Sequence, residues 1–508
     1  MRSRRIAGAL SLCFIAATTA RAQAPGLVPQ QLTLAEALQL AHQNSPTYRQ
    51  AQANAEPAAE AVKAANWARL PTLSVGTGMS YTGAGSSTFG GTTFSQTSPS
   101  VSSSYNIAAN WQINTRNFLT PGIQRATERS TEATIAAAGV TLVSDVTSQY
   151  LNALRAEAVV GVAVQQISRD TAFLALARAR QQVGQASLID VLQAQTTLAT
   201  AQVQLLQAQQ TAAEAKIELV RRLGLPIDSG AANIQLSEPF PLVEPTFDLS
   251  TLRGMAHQSN PSIQALVEQQ RADHLSTRAA HLDRLPTVSI STGLSGYTQQ
   301  FTNEGVLLNN RLLSAQATEA NCTFQNEIIM GLTTPIPGGI IADCKAFAGL
   351  DETGLALQSG VSQGIHNINS VFPFNFTRQP MSVSLGISLP IWDAYSRSLR
   401  ISQAEATEDQ AREGVRAQQL STDAQIASQL LAVRTAWQRI QIQDSNRVAA
   451  RQQLQLAQDR YRIGNGTGLE IADAQNAVTQ AEADYVTAVY DYHLAVVGLE
   501  AAVGRPLR

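Results

Sequence analysis

The chain is written twice. Residues 32–48 read LTLAEALQLAHQNSPTY and residues 247–263 read FDLSTLRGMAHQSNPSI. Ala41, His42, Gln43 and Pro46 recur as Ala256, His257, Gln258 and Pro261, at an offset of 215. Arg69, Leu70, Pro71 and Thr72 recur at the same offset as Arg284, Leu285, Pro286 and Thr287. VGQASLIDVLQAQ (183–195) recurs as IGNGTGLEIADAQ (463–475) at an offset of 280, which LGLP (223–226) and VGRP (503–506) keep. The step from 215 to 280 is an insertion of 65 residues in the second copy. A repeat on this scale constrains the fold more than any single motif, because each structural unit must occur twice.

Each copy reads as helix, β-hairpin, long helix, long helix. The first repeat runs over 23–228 with its hairpin at 72–114. A Pro-rich linker follows at 229–246. The second repeat covers 247–508, with a hairpin at 287–390 whose turn is a long inserted loop, 298–380. In the last helix of copy one, Val191, Ala194, Leu198, Ala201, Leu205, Ala208, Ala212, Ala215 and Leu219 step by 3 and 4 in alternation. Ile471, Ala474, Val478, Ala481, Tyr485, Ala488, Tyr492, Ala495 and Leu499 do the same in copy two. A 3.5-residue period predicts coiled-coil packing, and alanine knobs let the helices approach closely. The preceding stretches, 122–182 and 398–462, have no internal proline and reach roughly 90 Å each at 1.5 Å per residue.

The hairpins alternate with period 2. Leu73, Val75, Thr77, Met79 and Tyr81 form one apolar row; Tyr105, Ile107, Ala109, Trp111 and Ile113 form another. Val288, Ile290, Thr292 and Leu294, then Val383, Leu385, Ile387 and Leu389, repeat the pattern. Such strands suit either a soluble hairpin with one wet face or an outer-membrane barrel. Four strands cannot close a barrel around water, and open strand edges cannot sit in lipid. A membrane barrel therefore needs several chains, and three would supply twelve strands. Pro71, Pro121, Pro286 and Pro390 mark the expected strand–helix junctions. Trp111 and Trp392 fall near strand ends, where barrels keep aromatic belts.

The N-terminus has a basic front (Arg2, Arg4, Arg5), an apolar stretch to Thr19 and an Ala20-Arg21-Ala22 cleavage site, which makes residues 1–22 a secretory signal peptide. Cys13 raises the question of a lipid anchor, but Leu12 before it is too bulky for that signal. After cleavage Cys322 and Cys344 remain, and an oxidising compartment allows a disulfide between them. The net charge of −2 offers no basic surplus for nucleic acid. No later run is apolar enough to predict a membrane-spanning helix.

With these residues in view, the chain resembles the TolC-like outer membrane efflux family over essentially its whole mature length. The resemblance rests on the duplicated helix–strand–helix–helix plan, the R-L-P-T strand entries and the two V/I-G…D/E…A-Q corners. It implies a mostly α fold with a small β part, in which the duplicated repeats build a long coiled-coil α-barrel and a 12-stranded β-barrel shared by a homotrimer. It implies an outer-membrane location with a long periplasmic portion, and a role as exit duct for an inner-membrane pump joined by a periplasmic adaptor protein. The cargo would be small toxic compounds, metals or secreted polypeptide. No cofactor and no resident metal are implied.

In that family the corners form the periplasmic tip, and acids inside the last helix ring the constriction. Glu470 and Asp473 match those positions; six carboxylates in a trimer would attract cations. Glu470 also fits a capping box with Thr467. Asp190 matches the first corner's acid, or simply caps its helix after Ser187. Family members close the tip with a tyrosine and an arginine near the second corner, bonded to that acid. Tyr461 matches the tyrosine. The arginine's position is Gly466 here, with Arg462 the nearest base, which is equally an ordinary solvated charge.

Both hairpin turns face outside the cell in this topology. The turn at 82–100 is Gly/Ser/Thr-rich and expected to be mobile, while the long turn either caps the mouth or is a surface elaboration. Phosphate-loop, HExxH and CxxC motifs are absent from the sequence. Gly360-Val361-Ser362-Gln363-Gly364 fits GxSxG, but a nucleophile elbow needs a buried strand before it, and a polar loop is expected here. The chain is not expected to be an enzyme. The competing non-enzymatic role is a periplasmic coiled-coil scaffold or adaptor that never inserts.

Overall fold

The computed structural model describes residues 31–507 apart from 97, 228–231, 233, 239, 335 and 337. The expected signal peptide, with Cys13, and part of the expected 229–246 linker lie outside the described residues. Copy one comprises β1 (Gln31–Leu32), α1 (Leu34–Asn44), α2 (Pro46–Gln52), α3 (Ala55–Trp67), β2 (Thr72–Thr82), β3 (Gly85–Phe89), β4 (Thr92–Gln96), β5 (Ser100–Ile113), α4 (Thr115–Gln182) and α5 (Leu188–Leu223). After β6 (Gln235–Leu236), copy two comprises α6 (Leu249–Ser259), α7 (Pro261–Leu282), β7 (Thr287–Phe301), α8 (Gly305–Met330), α9 (Cys344–Ala348), α10 (Ser359–Asn369), β8 (Thr377–Arg378), β9 (Ser382–Ser388), α11 (Ser396–Arg462) and α12 (Gly468–Val503). The chain divides into two compact units, one of 1–61, 123–274 and 405–508, the other of 62–122 and 275–404. Each unit draws on both copies, so the division cuts across the two sequence repeats.

The second unit is built on a five-stranded antiparallel sheet, β2-β5-β7, in which the two-residue β8 and then β9 pair with the far side of β7. Registration sets its two faces. Val75 lies opposite Ile107, Ile107 opposite Leu294, Trp111 opposite Ile290 and Ile290 opposite Leu385. All the apolar rows therefore fall on one face. The other carries Ser74, Gly76, Asn106, Ser291, Gly293 and Ser384, with Ser291 and Ser384 bonded to each other at 2.6 Å. Val75, Leu385 and Ile387 on the apolar face are 74%, 66% and 70% exposed, whereas the end of that face at Ser103 and Tyr105 is covered by Pro373 and Phe376. Among the described residues, β2 pairs only with β5 and β9 only with β7, which leaves both sheet edges open.

Pro71 and Pro286 stand directly before β2 and β7, and Pro390 lies between β9 and α11. Pro121 is different: it sits inside α4, six residues past the helix start. A helical proline orphans the carbonyl four residues back, here that of Asn117. Arg69 donates Nε to the Asn117 carbonyl (3.4 Å) and Nη2 to that of Phe118 (3.1 Å), and lies over the Phe118 ring. A side chain 48 residues away thus lets the helix run through its proline. Within the turn at 82–100, β3 and β4 pair as a hairpin. Gly90 and Gly91 occupy its two-residue loop with φ of 60° and 80°, the left-handed pair that a tight hairpin turn demands.

The long turn folds into a small module. Leu312 and Ala315 of α8 pack with Ala348, Leu350 and Leu357. Cys322 and Cys344 form a disulfide. Asn326 both donates to and accepts from Ile341. Asn369 exchanges two hydrogen bonds with the backbone of Phe301 (2.7 and 2.9 Å), fixing the module to the end of β7. The GxSxG segment lies in α10 rather than in a loop. Ser362 donates to the Ser359 carbonyl at 3.0 Å, and His366 pairs with Glu304, so no nucleophile elbow exists.

The first unit holds the long helices. Every predicted seam residue of α5 and α12 is buried or half-buried. Phe173, Leu174 and Ala177 of α4, Val191 and Ala194 of α5, Leu454 and Tyr461 of α11, and Ile471, Ala474 and Val478 of α12 form one core. Length and mean hydropathy would let α12 cross a membrane, but its apolar side chains are taken up by these cores and by a second one with α6 and α11. Two of its acids are gripped from both sides. Glu482 receives Arg169 of α4 (3.4 Å) and Arg451 of α11 (2.9 Å). Asp491 receives Arg155 of α4 (3.3 Å) and Arg439 of α11 (3.2 Å). The interrepeat segment is docked as well: β6 pairs with β1, and the Phe240 ring packs against Tyr150 and His493. His42 lies edge-on to Tyr48, and His257 bonds Asp423 at 2.8 Å, both structural roles.

Candidate functional site: the paired helix corners

The two corners are the same device built twice. α4 and α11 each end with a glycine at positive φ, Gly184 at 77° and Gly464 at 85°. Gly184 N–H bonds the Gln181 carbonyl and Gln185 N–H that of Arg180; Gly464 and Asn465 repeat this on Tyr461 and Arg460. This double return satisfies the last helical carbonyls and turns the chain. Each following helix is then N-capped, α5 by Ser187 and α12 by Thr467.

The caps separate the acids. Asp190 completes a capping box: its Oδ2 accepts from Ser187 N–H (3.0 Å) and Oγ (2.8 Å). Glu470 gives its backbone N–H to Thr467 Oγ1 (3.2 Å), but its carboxylate does not reach back. It meets Arg460 at 3.6 Å instead. Asp473, exposed one turn on, shares with Glu470, Arg460 and Gln453 an open groove of about 610 Å³. Capping therefore accounts for the Asp190 carboxylate and leaves those of Glu470 and Asp473 on the groove.

Tyr461 is buried in the helix core, edge-on to Phe173 at 5.7 Å. Its hydroxyl has no hydrogen-bond partner, so the Tyr461–Asp190 bond that the resemblance implies is not made. Burial raises its pKa, and the charge of Asp190 raises it further. Arg462 is exposed and pairs with Asp459 on its own helix. Gly466 cannot carry a side chain here, because a Cβ would stand 2.8 Å from the Tyr461 nitrogen.

The arginine between the corners comes from α4. Arg180 donates Nη1 to the Tyr461 carbonyl, lies over the Tyr461 ring at 4.6 Å, and reaches the Gln185 carbonyl of its own corner at 3.4 Å. The sequence held a signal for it that motif matching passed over. Arg180 and Arg460 stand 280 residues apart, the offset of the repeat, and Arg460 likewise donates to the Asn465 carbonyl of its corner (3.3 Å). On the other side, the backbone at Gly468 passes so close to Asp190 that a Cβ would lie 2.9 Å from Oδ1. Both contacts join copy one to copy two.

The chain thus carries long paired helices with twin corners, running on in sequence to strands with an exposed apolar row. The chain matches the outer membrane efflux protein family over residues 37–225 and 356–505, and belongs to that family. Its fold is similar to that of the outer-membrane channel OprN (17% identity, 93% of this chain and 89% of that one, TM-score 0.67). It is also similar to VceC of Vibrio cholerae (16%, 94% and 97%, 0.66) and to the CmeC channel of Campylobacter jejuni (14%, 93% and 85%, 0.66). No curated protein matches the chain.

Proposed function

We propose that three copies of this chain form the outer-membrane exit duct of a tripartite export system, gated at the helix corners. The observation that carries this is the sheet. It presents an apolar face bare at Val75, Leu385 and Ile387, one face of small polar residues, and two open edges among the described residues. In lipid those edges must be paired. Pairing β9 of one copy with β2 of the next closes twelve strands, with the Ser/Gly/Asn face lining the lumen. Exposed Trp67, Phe118, Trp392 and Tyr395 at the strand–helix junctions supply an interfacial girdle for outer membrane lipid.

The corners supply the gate. Six groove carboxylates, from Glu470 and Asp473 of each copy, form a cation-attracting ring. Exposed Val183, Ile189 and Ile463 offer the periplasmic adaptor apolar footing, through which an inner-membrane pump works. Cargo, whether small toxic compounds, metals or polypeptide, is selected by the pump. The duct performs no chemical step; opening is a shift between closed and open corner packings.

The test is conductance of the purified protein in a planar bilayer beside a Glu470→Ala/Asp473→Ala variant. A small, cation-selective conductance that rises and loses selectivity in the variant is expected. Folded protein that never inserts would instead favour the periplasmic scaffold.

A further inference from the structure

The arm that returns from the inserted module to the sheet, residues 371–376, lies on the sheet's apolar face. Val101, Ser103, Tyr105 and Ile107 of β5 share that face with Gln300, Thr298, Gly296 and Leu294 of β7, pair by pair. The arm meets three of these residues in succession. Phe372 gives its N–H to Gln300 Oε1 (3.2 Å), Ser103 gives its hydroxyl to the Pro373 carbonyl, and the Phe376 ring stands edge-on to Tyr105 at 4.9 Å. Tyr105 crosses Gly296 so closely that a Cβ there would stand 2.4 Å from its ring.

The arm changes the chemistry of the face it covers. Gln300, Thr298 and Ser103 are polar, and hydrocarbon penalises a polar group left without a partner. Under the arm, Ser103 and Thr298 are buried and bond each other at 2.9 Å. The surface that replaces them is Val-Phe-Pro-Phe-Asn-Phe, which has no charge. Asn375 N–H returns to the Val371 carbonyl (3.0 Å), closing a turn that leaves Phe374 74% exposed. Arg378 follows; it is exposed and pairs in register with Gly296, so it shares the row of Tyr105. Aromatic rings beside a cation suit a membrane–water boundary, with the rings among acyl chains and the guanidinium toward headgroup phosphates. The height agrees. From Thr287, where β7 begins, to Gly296 is nine residues. That is about 30 Å of strand, which at a tilt of roughly 40° spans about 23 Å, close to the apolar band of a membrane barrel.

We propose that residues 371–376 anchor this chain at the outer face of the membrane, with Phe374 seated among the acyl chains of the outer leaflet and Arg378 at its headgroup phosphates. This rests on the three-copy barrel proposed above. The row Tyr105–Gly296–Arg378 is then the upper limit of the hydrocarbon, and exposed Trp392 and Tyr395 stand at the lower one. The returning arm of the inserted module thus serves the wall of the barrel.

Spin labelling of the purified protein in vesicles of phosphatidylethanolamine and phosphatidylglycerol tests this. Cys322 and Cys344 are bonded to each other, so a nitroxide can be directed to Phe374→Cys in one sample and to Ile387→Cys in another. At Ile387, on the bare part of the apolar face, collisions with oxygen should exceed those with a water-soluble nickel chelate severalfold. At Phe374 oxygen should still exceed nickel, by a smaller ratio that sets the label just below the phosphates. A label at 374 that meets nickel as freely as one in water, with the label at 387 still in lipid, overturns the anchor and leaves the duct standing. Folded protein in which both labels are in water overturns the three-copy barrel, and the anchor with it.

Discussion

Two side chains at the corners make opposite predictions. Tyr461 offers a buried hydroxyl that bonds nothing, and removing an unpaired polar atom costs little or is favourable. Tyr461→Phe should leave closed-state conductance unchanged and stability equal or higher. Arg180→Ala removes both the bond to the Tyr461 carbonyl and the stacking on its ring, and should raise conductance severalfold. If single-channel recording gave the reverse order, the clasp would be assigned to the wrong residue. Farther along α4, Asp170 is buried, both its oxygens lack partners, and burial pushes its pKa up to about 6. Its folded-state pKa lies above the unfolded value. Its favourable contribution is therefore complete below about pH 4 and lost as pH rises through 6. Asp170→Asn should stabilise the protein by roughly 2 kcal/mol at pH 7.5 and hardly at all at pH 4, which denaturation at the two pH values would show.

The elements differ in how much of them the sequence disclosed. Strand rows and helix seams were legible, because period 2 and period 3.5 are local and each burial partner lies on a regular surface. The start of α4 was not: Pro121 looked like a junction, and only the distant Arg69 makes a proline tolerable there. Glu470 looked like a cap and Asp190 an open question, yet the box closes on Asp190; which of two similar carboxylates reaches back is settled by side-chain geometry, not by spacing. The gripping of α12 was equally invisible, since Glu482 and its two arginines come from three helices. Glu482→Ala leaves Arg169 and Arg451 facing each other beside a buried site, and should cost about 3–5 kcal/mol; replacing both arginines as well should recover part of that loss in a thermal melt. On the sheet, Leu385→Arg puts a charge on the bare face. It should cost about 2–4 kcal/mol if that position lies near the mid-plane of a bilayer and almost nothing if the face meets water, so its effect on membrane-fraction yield separates duct from scaffold.

At the scale of the whole molecule, the duplication is imperfect in an instructive place. Corner devices occur in both copies with the same hydrogen bonds around their glycine turns, whereas the disulfide-held module occurs in copy two alone. In a ring of three chains the corners number six, in two alternating versions: one whose acid is spent on its own cap, and one whose acids are free on a groove. An adaptor that docks on the corners of the proposed trimer would therefore meet two kinds of seat and bind them with unequal strength. In the same proposed trimer the module occurs three times. An agent that recognises one site on the module would then meet threefold symmetry, where one that recognises the corners meets six positions of two kinds.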